Sequence, residues 1–277
     1  MRRAGALALA VALALPASCR REAVVSAAAV EVRAGVDHGE WTRLLRAYVD
    51  ERGLVDYGAW KDAAADRRAL ASYLARLAEP AQPPATGAER AATLINAYNA
   101  LTIAWILDHY PTPSIRTLAD SFTAPRHAVG GHEVSLDHIE HEALRPQVGY
   151  RVHAALVCAA RSCPPLRREA FSAATLEAQL DAAMATWLAR EDLNAYDAPR
   201  GVARLSSIFD WFKDDFAKAG GVAEVLRRHG PPAARTLAGQ PDLKLEYLPY
   251  DWSLNDQRPR AAYGRLRLWW DRIRSRI

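Results

Sequence analysis

Residues 91–107 read AATLINAYNALTIAWIL, and no charged side chain interrupts them. The length invites a membrane reading, but a spanning helix needs about 20 apolar residues and would not carry two amides without reason. Asn96 and Asn99 therefore mark the stretch as the central buried helix of a globular domain, apolar on every side. At about 100° per residue Asn96, Asn99 and Ile103 share one face. Buried amides need partners, so that face must meet polar groups from another part of the chain.

On the N-terminal side, Trp41, Leu44, Leu45 and Tyr48 recur at helical spacing and predict the first core helix. Residues 53–57 form a turn and a short extended piece. Leu70, Tyr73, Leu74 and Leu77 predict a second amphipathic helix, and a Pro- and Ala-rich loop follows over 80–87. On the C-terminal side, residues 134–145 predict a helix with Ser135 as N-cap and Asp137 in the first turn. Its apolar face holds Leu136, Ile139, Ala143 and Leu144, and Glu140 falls inside that face. A carboxylate aimed at a core must be paired, hydrogen-bonded or protonated. His138, Glu142 and Arg145 are expected to point away.

The apolar run 152–157 predicts a buried strand ending at Cys158, with a loop through Pro164 and Pro165. Further on, 176–188 is amphipathic. Ser206 or Ser207 can cap a helix bearing Ile208, Trp211, Phe212 and Phe216, and 244–248 predicts a strand. The expected fold is α+β: a mainly helical single domain with a small β-sheet, spanning 38–256. Beyond it, 257–277 predicts a basic amphipathic helix with Trp269 and Trp270 packed on the body.

The chain has 277 residues, half of them hydrophobic and a quarter charged, enough to bury a substantial core. It opens with Met1, Arg2 and Arg3, then an apolar run from Ala4 to Leu15, then Pro16, Ala17 and Ser18. A charged start, a short apolar run and small residues predict a secretory signal over 1–18. Cys19 follows and is a candidate for lipid modification, hence membrane tethering. Its lipoprotein signal is imperfect, because leucine stands four residues before the cysteine rather than three. Ordinary cleavage after Ala17 or Ala27 is the alternative. Residues 19–37 suit a tether, and the expected location is the periplasm, free or membrane-anchored. The net charge of +4 includes Arg2 and Arg3. The remaining excess is too small and dispersed to indicate nucleic acid.

Cys158 and Cys163 then lie in a compartment that tolerates disulfides. A thiol becomes nucleophilic when a histidine, a cation or a helix N-terminus lowers its pKa. Cys163, in a loop beside Arg161 and before two prolines, is the preferred nucleophile, and Cys158 the more shielded. His153 is the nearest base in sequence. In a regular strand, however, it would face away from Cys158, which turns attention to His141. Glu140, Asn96 or Asn99 would orient the imidazole. Such a site suits a thiol-dependent hydrolase or acyl transferase acting on an unidentified small-molecule or peptide substrate. Two alternatives stand beside it: an envelope binding module with a structural Cys158–Cys163 disulfide, and a thiol redox protein. The C-x4-C spacing differs from the C-x-x-C of thioredoxin-like enzymes. A metal site using Glu140, His141, His153 and the cysteines is a further reading, with His138 and His141 three apart on a helix. Their spacing matches no strong zinc signature, so no metal or other cofactor is expected. His132 is assigned to a solvated loop, and Asp251, Trp252 and Asn255 to turn formation.

Four strings, LINAYNALT (94–102), SLDHIEHEALR (135–145), RVHAALVCAARSCPPL (151–166) and YDWSLND (250–256), occur in this order. Together they resemble the bacterial and plant family called domain of unknown function 547, over roughly residues 41–256. The resemblance implies no activity, because that family is defined by sequence. The chain departs from the family pattern at Ala160, where serine is usual, and at Leu94, where an aromatic residue is usual. The first departure weakens any role for a hydroxyl at position 160. Both cysteines, the histidine and the amides match.

Overall fold

The computed structural model describes residues 30–259. The long apolar stretch is a helix, α4 (Gly87–His109), and fifteen of its residues from Ala91 to Leu107 are buried. It is covered by protein on every side, and no helix among the described residues is long and apolar enough to cross a membrane. α2 (Tyr57–Asp62) and α3 (Ala64–Ala78) pack against it, and α1 (Gly39–Tyr48) packs on both of them. Trp41 stacks on Tyr73, and Tyr48 on Trp60, at 5.9 and 4.6 Å between ring centres. The segment read as part of a tether contributes Val30 and Val32, both buried. The expected signal, Cys19 and the C-terminal tryptophans lie outside the described residues.

Two sheets are present among the described residues. β1 (His127–Val129) and β2 (His132–Val134) form an antiparallel hairpin. β3 (Ala195–Asp197), β4 (Val202–Ser206) and β5 (Lys244–Leu248) form the second, in the order β3-β4-β5. β4 pairs antiparallel with β3 and parallel with β5. The fold is α+β and mainly helical with small sheets, as the periodicities predict.

Two local expectations are overturned. Residues 152–157 are not a strand: Val152–Ala155 is a short helix, α6, and only the residues after it extend. The Asn99 amide supplies there what a neighbouring strand would have supplied. Its Nδ2 donates to the Ala155 carbonyl at 2.9 Å, and its Oδ1 accepts from the Val157 N–H at 2.9 Å. His153, on this helix, is therefore not held to the face opposite Cys158 by strand alternation. The second concerns residues 138–145. His138–Leu144 is π-helical and runs on into α5 (Arg145–Val148). A π turn is wider than an α turn and advances less per residue, so Arg145 swings inward to pair with Asp215 instead of pointing away. Ser135 caps this helix as expected, accepting from the His138 N–H at 3.0 Å.

The C-terminal half supplies the cover for α6. α7 (Leu176–Leu188) packs against it, followed by α8 (Ile208–Trp211), α9 (Lys213–Lys218), α10 (Val222–His229) and α11 (Pro232–Ala238). Trp187, Phe209 and Phe216 stack in series, with ring centres 4.9 and 4.4 Å apart. This aromatic ladder fixes the position of α9, and with it Asp215.

Candidate functional site: a disulfide at the wall of an aromatic cavity

Cys158 and Cys163 are bonded to each other. The loop between them turns at Ala159, whose φ of +57° lies in the left-handed region that side chains rarely adopt. The 250–256 segment holds that turn. Asn255 N–H donates to the Ala159 carbonyl at 3.0 Å, Arg161 N–H to Ser253 at 2.8 Å, and Asp251 N–H to the Ser162 hydroxyl at 2.8 Å. Gly53 approaches from the other side, where a Cβ would come within 2.5 Å of the Leu166 nitrogen. Only glycine fits that approach at a φ of +77°.

The loop aims donors at one sulfur. Cys163 Sγ accepts from the Cys158 N–H at 3.1 Å and the Ala160 N–H at 3.4 Å, and from the Tyr250 hydroxyl at 3.2 Å. The Tyr250 oxygen also lies 3.3 Å from Cys158 Sγ. Cys163 is 5% exposed, whereas Cys158 is only half-buried. The accessibility is thus the reverse of the expectation that Cys158 would be the more shielded.

Both sulfurs line a cavity of about 300 Å³ walled by aromatic rings, Trp211, Phe212, Tyr250 and Trp252 among them. Glu140, His141 and His153 also face it. Burial, reinforced by the charge of Asp137, raises the Glu140 carboxyl to a pKa of about 7, against the opposing pull of the Tyr98 hydroxyl and Arg145. The same burial holds the Tyr98 and Tyr250 phenols protonated, and the charge of Glu140 adds to it.

His153 sits in α6 with its ring stacked on Phe212, 4.0 Å between centres. Its Nε2 lies 2.9 Å from Asp215 Oδ2, which also accepts from Arg145 Nε at 2.7 Å. Burial lowers the imidazole to a pKa of about 4, although Asp215 opposes the shift. Asp215 itself is raised by burial, but hydrogen bonds from Arg145 and His153 outweigh that and hold it at about 2. The imidazole is then neutral, and because an ionised carboxylate only accepts, its proton is on Nε2. A base with so low a pKa is weak at neutral pH. Glu140, poised near neutrality, is the better proton carrier in the cavity. His141 is half-buried, lowered by burial, and accepts from Arg145 at its Nδ1 at 3.2 Å.

The two amides do other work. Asn96 donates to the Phe171 carbonyl at 2.8 Å and accepts from the Phe171 N–H at 2.9 Å, as Asn99 does with Ala155 and Val157. Each clamps a passing backbone, and neither has an imidazole partner. The structure therefore brings together Cys158, Cys163, Glu140, His141 and His153, with Asn96 and Asn99 as their scaffold. Asp251 accepts from Ser253 in a local turn, and Asn255 accepts from the Tyr57 hydroxyl at 2.8 Å. Trp252 joins the cavity wall, a placement its turn position did not suggest. Asp215 and Tyr250 also escaped the sequence reading. The only signal for Asp215 was an acidic residue in a helix whose neighbours, Phe212 and Phe216, are apolar. Among the described residues no cluster of three or more His, Cys, Asp or Glu side chains could hold a metal ion.

Fold and site together define a mainly helical α+β protein with a disulfide in the wall of an aromatic cavity. Residues 84–188 match the family described as Protein of unknown function, DUF547. Three of the four motif strings fall inside it, while YDWSLND, Asp215 and Tyr250 lie beyond it. No curated protein and no solved structure matched the chain.

Proposed function

We propose that the cavity is a thiol–disulfide exchange site, and that the observation carrying this reading is the asymmetry of the two sulfurs. Cys158 is the accessible one, and Cys163 is surrounded by two N–H donors and a hydroxyl. Exchange is faster when the leaving sulfur is a stabilised thiolate. An incoming thiolate attacks Cys158 Sγ; its sulfur bonds to Cys158, the Cys158–Cys163 bond breaks, and the electron pair leaves on Cys163. A second substrate thiolate then attacks the mixed disulfide and frees Cys158. In sum two substrate thiols are oxidised to a disulfide, and the protein is reduced to its dithiol. Glu140, near neutrality in pKa, accepts the proton of an incoming thiol and returns it to the dithiol. The aromatic wall favours a cysteine-containing peptide or small thiol bearing an apolar group. Export through the N-terminal segment would place this chemistry where disulfides persist.

The test is incubation of the native oxidised protein with a cysteine peptide carrying a neighbouring aromatic residue. Expected are conversion of the peptide to its disulfide and reduction of the protein without denaturant. If the bond resists reduction until the protein unfolds, it is structural, and the binding-module reading replaces this one.

A second reading is favoured by Glu140 and His141 facing the same cavity. In the reduced protein, Cys158 becomes a free nucleophile beside them, as a thiol-dependent hydrolase or acyl transferase requires. Ester or amide hydrolysis that appears only after reduction, and vanishes in Cys158→Ser, would support it over exchange.

A further inference from the structure

Asp215 has two sides. One oxygen meets His153 at the aromatic cavity, and the residue also lines a second, larger cavity of about 1060 Å³ on the far side of Arg145. Gly149, with a φ of +66°, reverses the chain between α5 and α6 so that Arg145 and Arg151 both border this space. Lys218, Arg228 and Arg235 complete a ring of five cations, against Asp181 and Asp215 as the carboxylates of the lining.

The existing pairs leave capacity. Arg145 is committed to Asp215 at 2.7 Å, and Arg151 to Glu177 and Asp181 at 2.7 and 3.0 Å. Arg228 pairs with Glu224 at 2.7 Å. Lys218 is 78% exposed and only 3.6 Å from Asp215, a weak screened contact. Arg235 is exposed and has no carboxylate partner among the described residues. Charged groups on a convex surface are ordinarily just solvated. Here they converge on a concavity, where low-dielectric walls focus the field. Guanidinium forks match the oxygens of phosphate groups, and the volume exceeds what one such group fills.

We propose that this second cavity binds a small ligand carrying two or more phosphate groups. Arg235 and Lys218 meet it at the mouth, and Arg145 lies at the floor. The inference does not depend on the exchange chemistry, because no cysteine lines this cavity. It adds one consequence: a ligand that draws Lys218 or Arg145 away from Asp215 changes the charge felt by His153, 2.9 Å away.

Inorganic triphosphate, titrated calorimetrically into the full-length protein at low and at physiological salt, is the direct probe. Expected is saturable binding, weakened several-fold by salt and about tenfold by each of Lys218→Ala and Arg235→Ala. Both side chains are exposed, and an unchanged melting temperature establishes that the variants fold. The His153 ring resonances should shift on titration of the wild type. Absence of saturable heat, or equal affinity in the double variant Lys218→Ala/Arg235→Ala, would overturn the proposal. Thiol exchange measured on the same samples reports separately on the other cavity.

Discussion

Replacing Glu140 by Gln removes a proton-binding group from the cavity at almost constant volume. The folded-state pKa of Glu140 is about 7 against an ordinary 4.5. As pH rises from 4.5 to 7 the unfolded chain releases this proton first, so wild-type stability falls through that window. The interval amounts to about 3 kcal/mol at pH 8. His153 acts in the opposite sense: its folded pKa of about 4 lies below the ordinary 6.5. Its contribution is complete above pH 6.5 and is lost as pH falls toward 4. In the wild type the two slopes oppose each other and the net dependence between pH 4.5 and 6.5 is shallow. Subtracting wild type from Glu140→Gln at each pH isolates the carboxyl. The variant should gain about 3 kcal/mol relative to wild type between pH 4 and pH 8, or roughly 6–10 °C in melting temperature for a domain of this size. Its own stability should fall steeply below pH 6.5, where His153 is no longer opposed. Urea unfolding at pH 4, 5, 6, 7 and 8 measures this. An Glu140→Gln difference that is the same at all five values would refute the assignment of Glu140 as a buried, near-neutral carboxyl.

Three further outcomes follow from single contacts. Asn99→Ala leaves the Ala155 carbonyl and the Val157 N–H without their partner, and should cost about 2–3 kcal/mol in denaturant unfolding. Asp215→Asn removes the charge that pairs Arg145 and accepts from His153, and should cost about 3 kcal/mol at pH 7. Because the folded pKa of Asp215 is about 2, below the ordinary 3.8, this loss should shrink as pH falls between those values. Tyr250→Phe removes one of three donors to Cys163 Sγ, and should slow reduction of the native disulfide about tenfold in a stopped-flow thiol assay, given that one hydrogen bond to a charged group is worth about 1.5 kcal/mol.

The helical frame was legible because its signals are local. The uncharged run of α4, the spacing of Trp41, Leu44, Leu45 and Tyr48, and the placement of Glu140 on an apolar face each need only a window of residues. The demand that Asn96 and Asn99 find polar partners was also legible, but not which partners. Residues 152–157 carry the pattern of a buried strand because a short apolar run has no period of its own, and the Asn99 side chain, 56 and 58 residues before the backbone groups it binds, replaces the missing sheet neighbour. Arg145 was misdirected because a π turn breaks the 100° count. The parts of the site that sequence spacing could not supply are Asp215 and Tyr250, 62 and 87 residues from the groups they touch. Loops and aromatic stacking bring them in, and neither leaves a periodic mark.

The sulfur that takes the substrate is the point on which the exchange reading stands. It is read by trapping: native oxidised protein is mixed briefly with a cysteine peptide, quenched with acid, and the mixed disulfide located by peptide mass spectrometry, while Cys163→Ser, whose Cys158 is a free thiol, is mixed with the disulfide dimer of the same peptide, so that attack by Cys158 forms the adduct and releases one peptide thiol. The adduct is expected on Cys158 in both, transient in the native protein and, once the released peptide thiol is removed, stable in Cys163→Ser, where no thiol at position 163 is left to displace the peptide. An adduct on Cys163 in the native protein, or none on Cys158 in the Cys163→Ser variant, would contradict it.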